Sequence, residues 1–292
     1  MHRILIITPK QPSGNPRMRK AADALAKTGH RVHVLYAYNA NWATQADVEI
    51  LSQAKWTWER IGGHPEEAKF NYFLSRLKRK LAEIMGITKH AMCRSFEDYV
   101  YRGIKWKPDI VIGHNPGALG PLVAIGNKLT IPTLFDAEDF HRGEFALDSK
   151  ESLSVQKLED ECIPQVAAMT AASPLIAKTY GRLYPQHEVT TINNAFAKNN
   201  QPPIPTSESG PLKIIWFSQV VGLDRGLEEF LRGMQRAPNV PIQLNVLGLC
   251  SEIVKQSLLE STTSELHQIT LHAPMAESAL FKFIAEHEIG LA

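Results

Sequence analysis

An apolar run, Lys213-Ile-Ile-Trp-Phe217, reaches the polar pair Ser218-Gln219 and passes through Gly222-Leu-Asp-Arg-Gly226 into the helical pattern Leu227-Glu-Glu-Phe-Leu231. A strand that delivers polar and cationic groups to the start of a helix suits an anion, because unpaired backbone N–H groups and the helix dipole face the ligand. Arg225 adds a permanent charge there, Ser218 and Gln219 add hydrogen-bonding groups, and Gly222 and Gly226 let the backbone approach closely. The N-terminus repeats the arrangement: after Thr8, a loop containing Gly14 and Asn15 leads to Arg17 and Arg19 at a helix start. Two further strand ends carry polar groups, His114 on one and Asp136-Ala-Glu-Asp139 with His141 and Arg142 on the other. Each has a plainer reading beside the chemical one. Arg225 could be a solvated charge, and His114 a histidine that only hydrogen-bonds at a strand end. Closely spaced carboxylates with a nearby histidine could hold a divalent cation. With Arg142 following, a hydrogen-bonded loop fits Glu138, Asp139, His141 and Arg142 better, and capping remains an alternative.

These groups need strands to carry them. The pattern predicts strands over residues 3–8, 31–36, 108–113, 132–136, 168–172 and 189–192, alternating with helices over 16–28, 70–85, 89–103, 118–129, 151–167 and 173–180. Such alternation implies parallel strands joined by crossover helices, and residues 39–67 are hard to read. Residues 198–212 have linker composition, with prolines limiting their freedom. The division is therefore an N-terminal domain over 1–197, the linker, and a second α/β domain over 213–292, with a cleft expected between the two. That second domain ends on Glu288-Ile-Gly-Leu-Ala292, the opening of a buried strand. A parallel sheet needs crossovers beyond such a strand, so the second domain is expected to be incomplete.

The 292 residues give a soft prior of about two domains, and the net charge of +2 offers no global field to attract nucleic acid. Three scattered cysteines, Cys93, Cys162 and Cys250, form no metal or disulfide pattern and point to a reducing compartment. The N-terminus lacks a secretion signal and no segment is apolar enough to span a bilayer, so a cytoplasmic protein is expected. The stretch Arg76-Leu-Lys-Arg-Lys-Leu81, among Phe70, Phe73, Leu74, Leu77, Leu81, Ile84 and Met85, allows two readings. A basic helix face over a core stripe is favoured over contact with the inner face of the cell membrane.

No G-x-G-x-x-G fingerprint supports a dinucleotide oxidoreductase. The motifs instead resemble, in order along the whole chain, the GT-B glycosyltransferases of the retaining group called family 4. Gly14-Asn-Pro-Arg17 is similar to the family's glycine loop, Pro108-Asp-Ile-Val-Ile-Gly-His-Asn115 to the strand ending in its active-site histidine, and Val189-Thr-Thr-Ile-Asn-Asn-Ala195 to the strand closing the first domain. Trp216-Phe-Ser-Gln-Val-Val-Gly-Leu-Asp-Arg-Gly-Leu227 resembles the strand, loop and helix that carry an arginine and then a lysine for the donor diphosphate. The resemblance implies two Rossmann-like domains and transfer of a sugar from a nucleotide-diphosphate sugar to a glycan, lipid-linked or other cell-surface polysaccharide acceptor. It implies retained configuration and no metal or other cofactor. Arg225 stands at the family lysine and His114 at its histidine, as catalytic groups. Gly14, Ser218, Gln219, Gly222 and Gly226 fall on the donor side, and Asn15, Arg17 and Arg19 on the acceptor side with Glu138, Asp139, His141 and Arg142. Gln219 departs from the family's arginine, and the family's paired-glutamate motif would fall beyond Ala292. These departures keep two alternatives open: a non-catalytic relative that binds nucleotide sugar, and a nucleotide-sugar epimerase.

Overall fold

The computed structural model describes residues 1–196, 198, 201–203, 210–222, 225–261, 264–275 and 277–291. Much of the expected linker, and Leu223, Asp224 and Ala292, lie outside the described residues. The chain divides into two compact units, Met1–Asn194 and Ala195–Ala292.

In the first unit, β1 (Arg3–Thr8) leads through a short turn to α1 (Pro16–Lys27), then β2 (Arg31–Ala37), α2 (Asn41–Gln53), β3 (Thr57–Ile61), α3 (Lys69–Ile84), α4 (Thr88–Met92) and α5 (Phe96–Trp106). The second half runs β4 (Ile110–His114), α6 (Pro116–Leu129), β5 (Thr133–Ala137), α7 (Lys150–Cys162), β6 (Ala168–Ala171), α8 (Pro174–Leu183) and β7 (Val189–Thr191). Among the described residues these strands form a seven-stranded parallel sheet in the order β3-β2-β1-β4-β5-β6-β7. Buried on both faces, its central strands read as continuous apolar runs. In β1, Leu5 and Ile7 face a core shared with Tyr99 of α5 and Leu119 and Leu122 of α6, while Ile4 and Ile6 face Met18 and Ala22 of α1. The result is a sheet between two helical layers.

Three expectations change. The unread region contains α2 and the edge strand β3. The helix expected over 89–103 is two helices, broken at Cys93, whose backbone is extended, with Ser95 preceding the second. On α3, only Ser75 and Ala82 are buried, and the apolar row faces outward.

In the second unit, β8 (Leu212–Val220), α9 (Leu227–Gln235), β9 (Ile242–Leu249), α10 (Glu252–Glu260), β10 (His267–His272), α11 (Glu277–Ile284) and β11 (Ile289–Gly290) follow in turn. Their parallel sheet has the order β10-β9-β8-β11. Ile214, Trp216, Leu244 and Val246 pack with Leu227, Leu231 and Met234 of the amphipathic α9. Ser218 and Gln219 belong to β8 itself, which continues past an irregularity in its pairing with β9 between Phe217 and Val220. Beside it, Gly248 has φ of 151° and would set a Cβ 2.4 Å from the Ser218 carbonyl oxygen, so the irregular strand and β9 approach as only glycine permits.

Candidate active site

Both sheets change direction of strand order at their first strand. In the first unit the order runs outward from β1 through β2 to β3, then resumes on its other side with β4. Open α/β sheets bind ligands at such a point, beyond the C-terminal strand ends, because the diverging crossovers leave a crevice there. Thr8 ends β1 and His114 ends β4, so both stand at the C-terminal strand ends that flank this switch point.

Asn15 caps α1, its side-chain oxygen accepting the Met18 N–H at 2.9 Å, and this places Arg17 in the first turn. The Arg17 guanidinium forks onto Asp136 at the end of β5, Nε donating to Oδ2 at 2.6 Å and Nη2 to Oδ1 at 2.7 Å. Nη1 donates to the Ile192 carbonyl at 2.6 Å, and Thr170 of β6 also donates to Asp136. His114 Nδ1 lies 2.9 Å from Glu138 and 3.3 Å from Asp136. The other Glu138 oxygen accepts from Asn115 Nδ2 at 3.0 Å. Asn115 holds φ of 65° and ψ of 154°, a conformation that favours glycine, and its Pro116 neighbour starts α6.

Burial opposes the charge on His114, but hydrogen bonds and charges from Asp136 and Glu138 outweigh it and raise its pKa above the ordinary value. Burial likewise disfavours both carboxylates, yet His114 and Arg17 hold Asp136 well below its usual range, and His114 and Asn15 lower Glu138. The cluster thus sets Arg17 and His114 against the carboxylates of Asp136 and Glu138, nearly sealed from water. Among the described residues His114 Nε2 is buried without a hydrogen-bond partner, so a protonated imidazole keeps one N–H to offer a ligand.

The ligand atoms of His114, Asp136 and Glu138 lie within 4.8 Å of one another, as do those of Asp139, His141 and Glu144. In the first set both Asp136 oxygens already accept from Arg17, and the raised His114 pKa favours an imidazolium, which has no lone pair for a metal. Its donors are organised around each other. In the second set Asp139 and Glu144 are exposed, and Glu144 pairs with His141 Nδ1.

Two arginines take a different place from the acceptor contacts expected of them. Arg17 is buried in the fork to Asp136, its donors engaged within the first unit. Arg142 binds Glu159 of α7 at 2.6 Å and also donates to Asp160 and the Tyr184 hydroxyl, bracing α7 against α8. His141 is buried, its backbone N–H donating to the Tyr180 hydroxyl at 3.3 Å. Arg19 is half-buried on α1, and Gly14 has open space where a side chain would stand. Asn115 and Thr170 join the cluster although the sequence reading gave neither a role. The signal available was position, a polar residue at the C-terminal end of a buried strand.

In the second unit, Arg225 is exposed and its Nη1 donates to Ser218 Oγ at 2.9 Å, uniting the end of β8 with the loop before α9. Gly226 caps α9 in the left-handed region with φ of 80° and supplies no side-chain cap, which leaves the first-turn N–H groups to other partners. Gln219 is exposed and Gly222 half-buried.

Two parallel α/β units in tandem, each with polar groups near the C-terminal end of the strand at its switch point, have the make-up of the GT-B fold. The profile of the glycosyl transferase 4-like domain matches residues 14–195, and the chain belongs to that family. Among solved structures it is similar to sucrose-phosphate synthase from Thermosynechococcus elongatus, with 11% identity and a TM-score of 0.67 over 99% of this chain and 75% of that one. It is also similar to Anabaena HepE in complex with UDP-glucose, with 11% identity and a TM-score of 0.65 over 99% and 73% of the two chains. The lipopolysaccharide outer core galactosyltransferase WaaB matches with 12% identity and a TM-score of 0.60 over 98% and 72%. No curated protein sequence matches the chain.

Proposed function

We propose that the chain transfers a sugar from a nucleotide-diphosphate sugar to a glycan or lipid-linked acceptor presented at a membrane surface, with retained configuration and without a metal. The observation that carries this reading is the buried His114–Asp136–Glu138–Arg17 cluster, in which two carboxylates favour the protonated imidazole and whose His114 Nε2 has no partner among the described residues. Such a donor can hold a hydroxyl of the transferred sugar while Asp136 and Glu138 balance its charge. As the glycosidic bond breaks, negative charge grows on the departing diphosphate. Arg225 and the N–H groups opening α9 would stabilise that charge more than the ground state, which lowers the barrier. Asp136 and Arg17 act as positioning residues, because they reach the reacting sugar only through His114 and the fold.

HepE is described in complex with UDP-glucose, so UDP is the first probe for the second unit. UDP should raise the melting temperature of the full chain by several degrees at saturating concentration, and Arg225→Ala should remove most of that rise. A melting temperature that stays fixed with UDP and with the other common nucleoside diphosphates would sink the donor assignment. Turnover of a nucleotide sugar should survive a chelator, and its loss would return the carboxylates to a metal role. The exposed, neutral Gln219 favours a second reading in which donor affinity persists and transfer does not. A UDP-dependent shift with no donor turnover in the presence of acceptor extracts would select it.

A further inference from the structure

Helix α3 turns its apolar side away from the protein. At about 100° per residue, Phe70, Phe73, Leu74, Leu77, Leu81 and Ile84 fall within one arc of roughly 100°. All six are exposed, Phe70 by 79%, Phe73 by 63% and Ile84 by 73%, and Met85 extends the row at 69%. The opposite side rests on the protein through two small residues, Ser75 and Ala82. Ser75 Oγ lies 3.1 Å from the Gly62 carbonyl oxygen and 2.8 Å from that of Tyr72 in its own helix. An amphipathic helix normally seats its apolar stripe on the core, and a contiguous exposed row of this size marks an interaction surface.

Charge identifies the partner. Over its 16 residues α3 carries Lys69, Arg76, Lys78, Arg79 and Lys80 against a single acid, Glu83. On the wheel Lys69, Arg76 and Lys80 border one edge of the apolar arc and Lys78 the other. Glu83 is already held by Lys80 at 3.3 Å and by Lys150 at 2.6 Å. Behind the helix, the Arg94 guanidinium lies 5.0 Å from the Tyr72 ring and donates to the Tyr38 carbonyl at 3.0 Å. Burial foremost, with smaller contributions from Arg76 and Arg79, holds Arg94 below its ordinary pKa. An apolar face with cations along both edges matches the boundary of an anionic bilayer, where acyl chains accept the former and headgroup phosphates the latter. A protein groove would satisfy the apolar row but gives no reason for cations on both sides.

We infer that α3 is a peripheral membrane-docking element that lies in the interface of an anionic lipid bilayer. The docking stands on the helix alone, whereas its use in reaching a membrane-presented acceptor rests on the transfer reading. The test is flotation of the full chain with vesicles of phosphatidylcholine, with and without phosphatidylglycerol. Binding should require the anionic lipid and fall with added salt. Phe73→Ser/Leu77→Ser/Leu81→Ser should weaken it by about tenfold or more, and Lys69→Gln/Arg76→Gln by about tenfold or more. The second variant leaves the apolar row intact, so it reads the interface even if the first one folds poorly. Failure of the wild-type chain to bind anionic vesicles would overturn the inference, as would binding unchanged in both variants. A lipid-free dimer in sedimentation equilibrium that the serine variant dissolves would assign the face to a second copy instead. Because the assay contains no nucleotide, its outcome is independent of the UDP shift.

Discussion

Removing the Arg17 guanidinium would strand Asp136, a carboxylate with side-chain exposure of 7% and an acceptor of the Arg17 fork at both oxygens. The penalty for breaking such a pair comes from the charge left behind, so Arg17→Ala should cost about 3–5 kcal/mol in urea unfolding of the full chain. Arg17→Lys keeps a charge but cannot reproduce the fork and should recover only part of the loss. The same cluster sets a pH window. His114 binds its proton more readily folded than unfolded, so its contribution is complete below the ordinary 6.5 and is lost as pH rises through the raised folded value. Asp136 and Glu138 run the other way: their contribution is present above their ordinary 3.8 and 4.5 and is lost as pH falls through the lowered folded values. Wild-type stability relative to His114→Gln should therefore be greatest between those limits and decline toward alkaline pH. A stability difference that keeps growing above neutral pH would mean that His114 is buried neutral.

Gly248 shows what an element asks of one position. With φ of 151° and a would-be Cβ 2.4 Å from the Ser218 carbonyl oxygen, Gly248→Ala must either strain the end of β9 or push β8 aside. A cost of about 1–3 kcal/mol is expected, with weaker UDP binding because Ser218 would move with its strand. Wild-type melting and UDP response in this variant would refute the close approach. Elements such as β1, β4 and β5 were legible because strands buried on both faces must be apolar runs, and their polar ends stood out against them. The break between α4 and α5 was missed because neither glycine nor proline marks it, and its available signal was Ser95 followed by Glu97 and Asp98 in the first turn of α5. β3 was obscured because an edge strand needs few apolar residues, and Thr57 and Trp58 are exposed. The row on α3 was grouped correctly but aimed wrongly: periodicity shows which residues share a face, and only the fold shows what that face meets. In the site, His114 and Glu138 were legible as polar strand ends, whereas the commitment of Arg17 to Asp136 spans 119 residues of sequence separation and leaves no local trace.

At the scale of the whole chain, chemistry is divided between two units that fold around separate cores. On the proposed reading, nucleotide binding would draw on Ser218, Arg225 and the start of α9 in the second unit, and the sugar-directed donor would be His114 of the first. Perturbations of distant, independent groups add, while groups sharing partners do not. His114→Gln should therefore abolish most turnover yet leave the UDP-induced melting shift near wild type, because the diphosphate and nucleoside do not depend on the imidazole. Arg225→Ala should lose both the shift and turnover. The double variant should show the UDP response of Arg225→Ala alone. If His114→Gln erased the UDP shift as completely as Arg225→Ala does, the nucleotide itself would bind at the first unit's cluster, and the division of roles between the two units would have to be reversed.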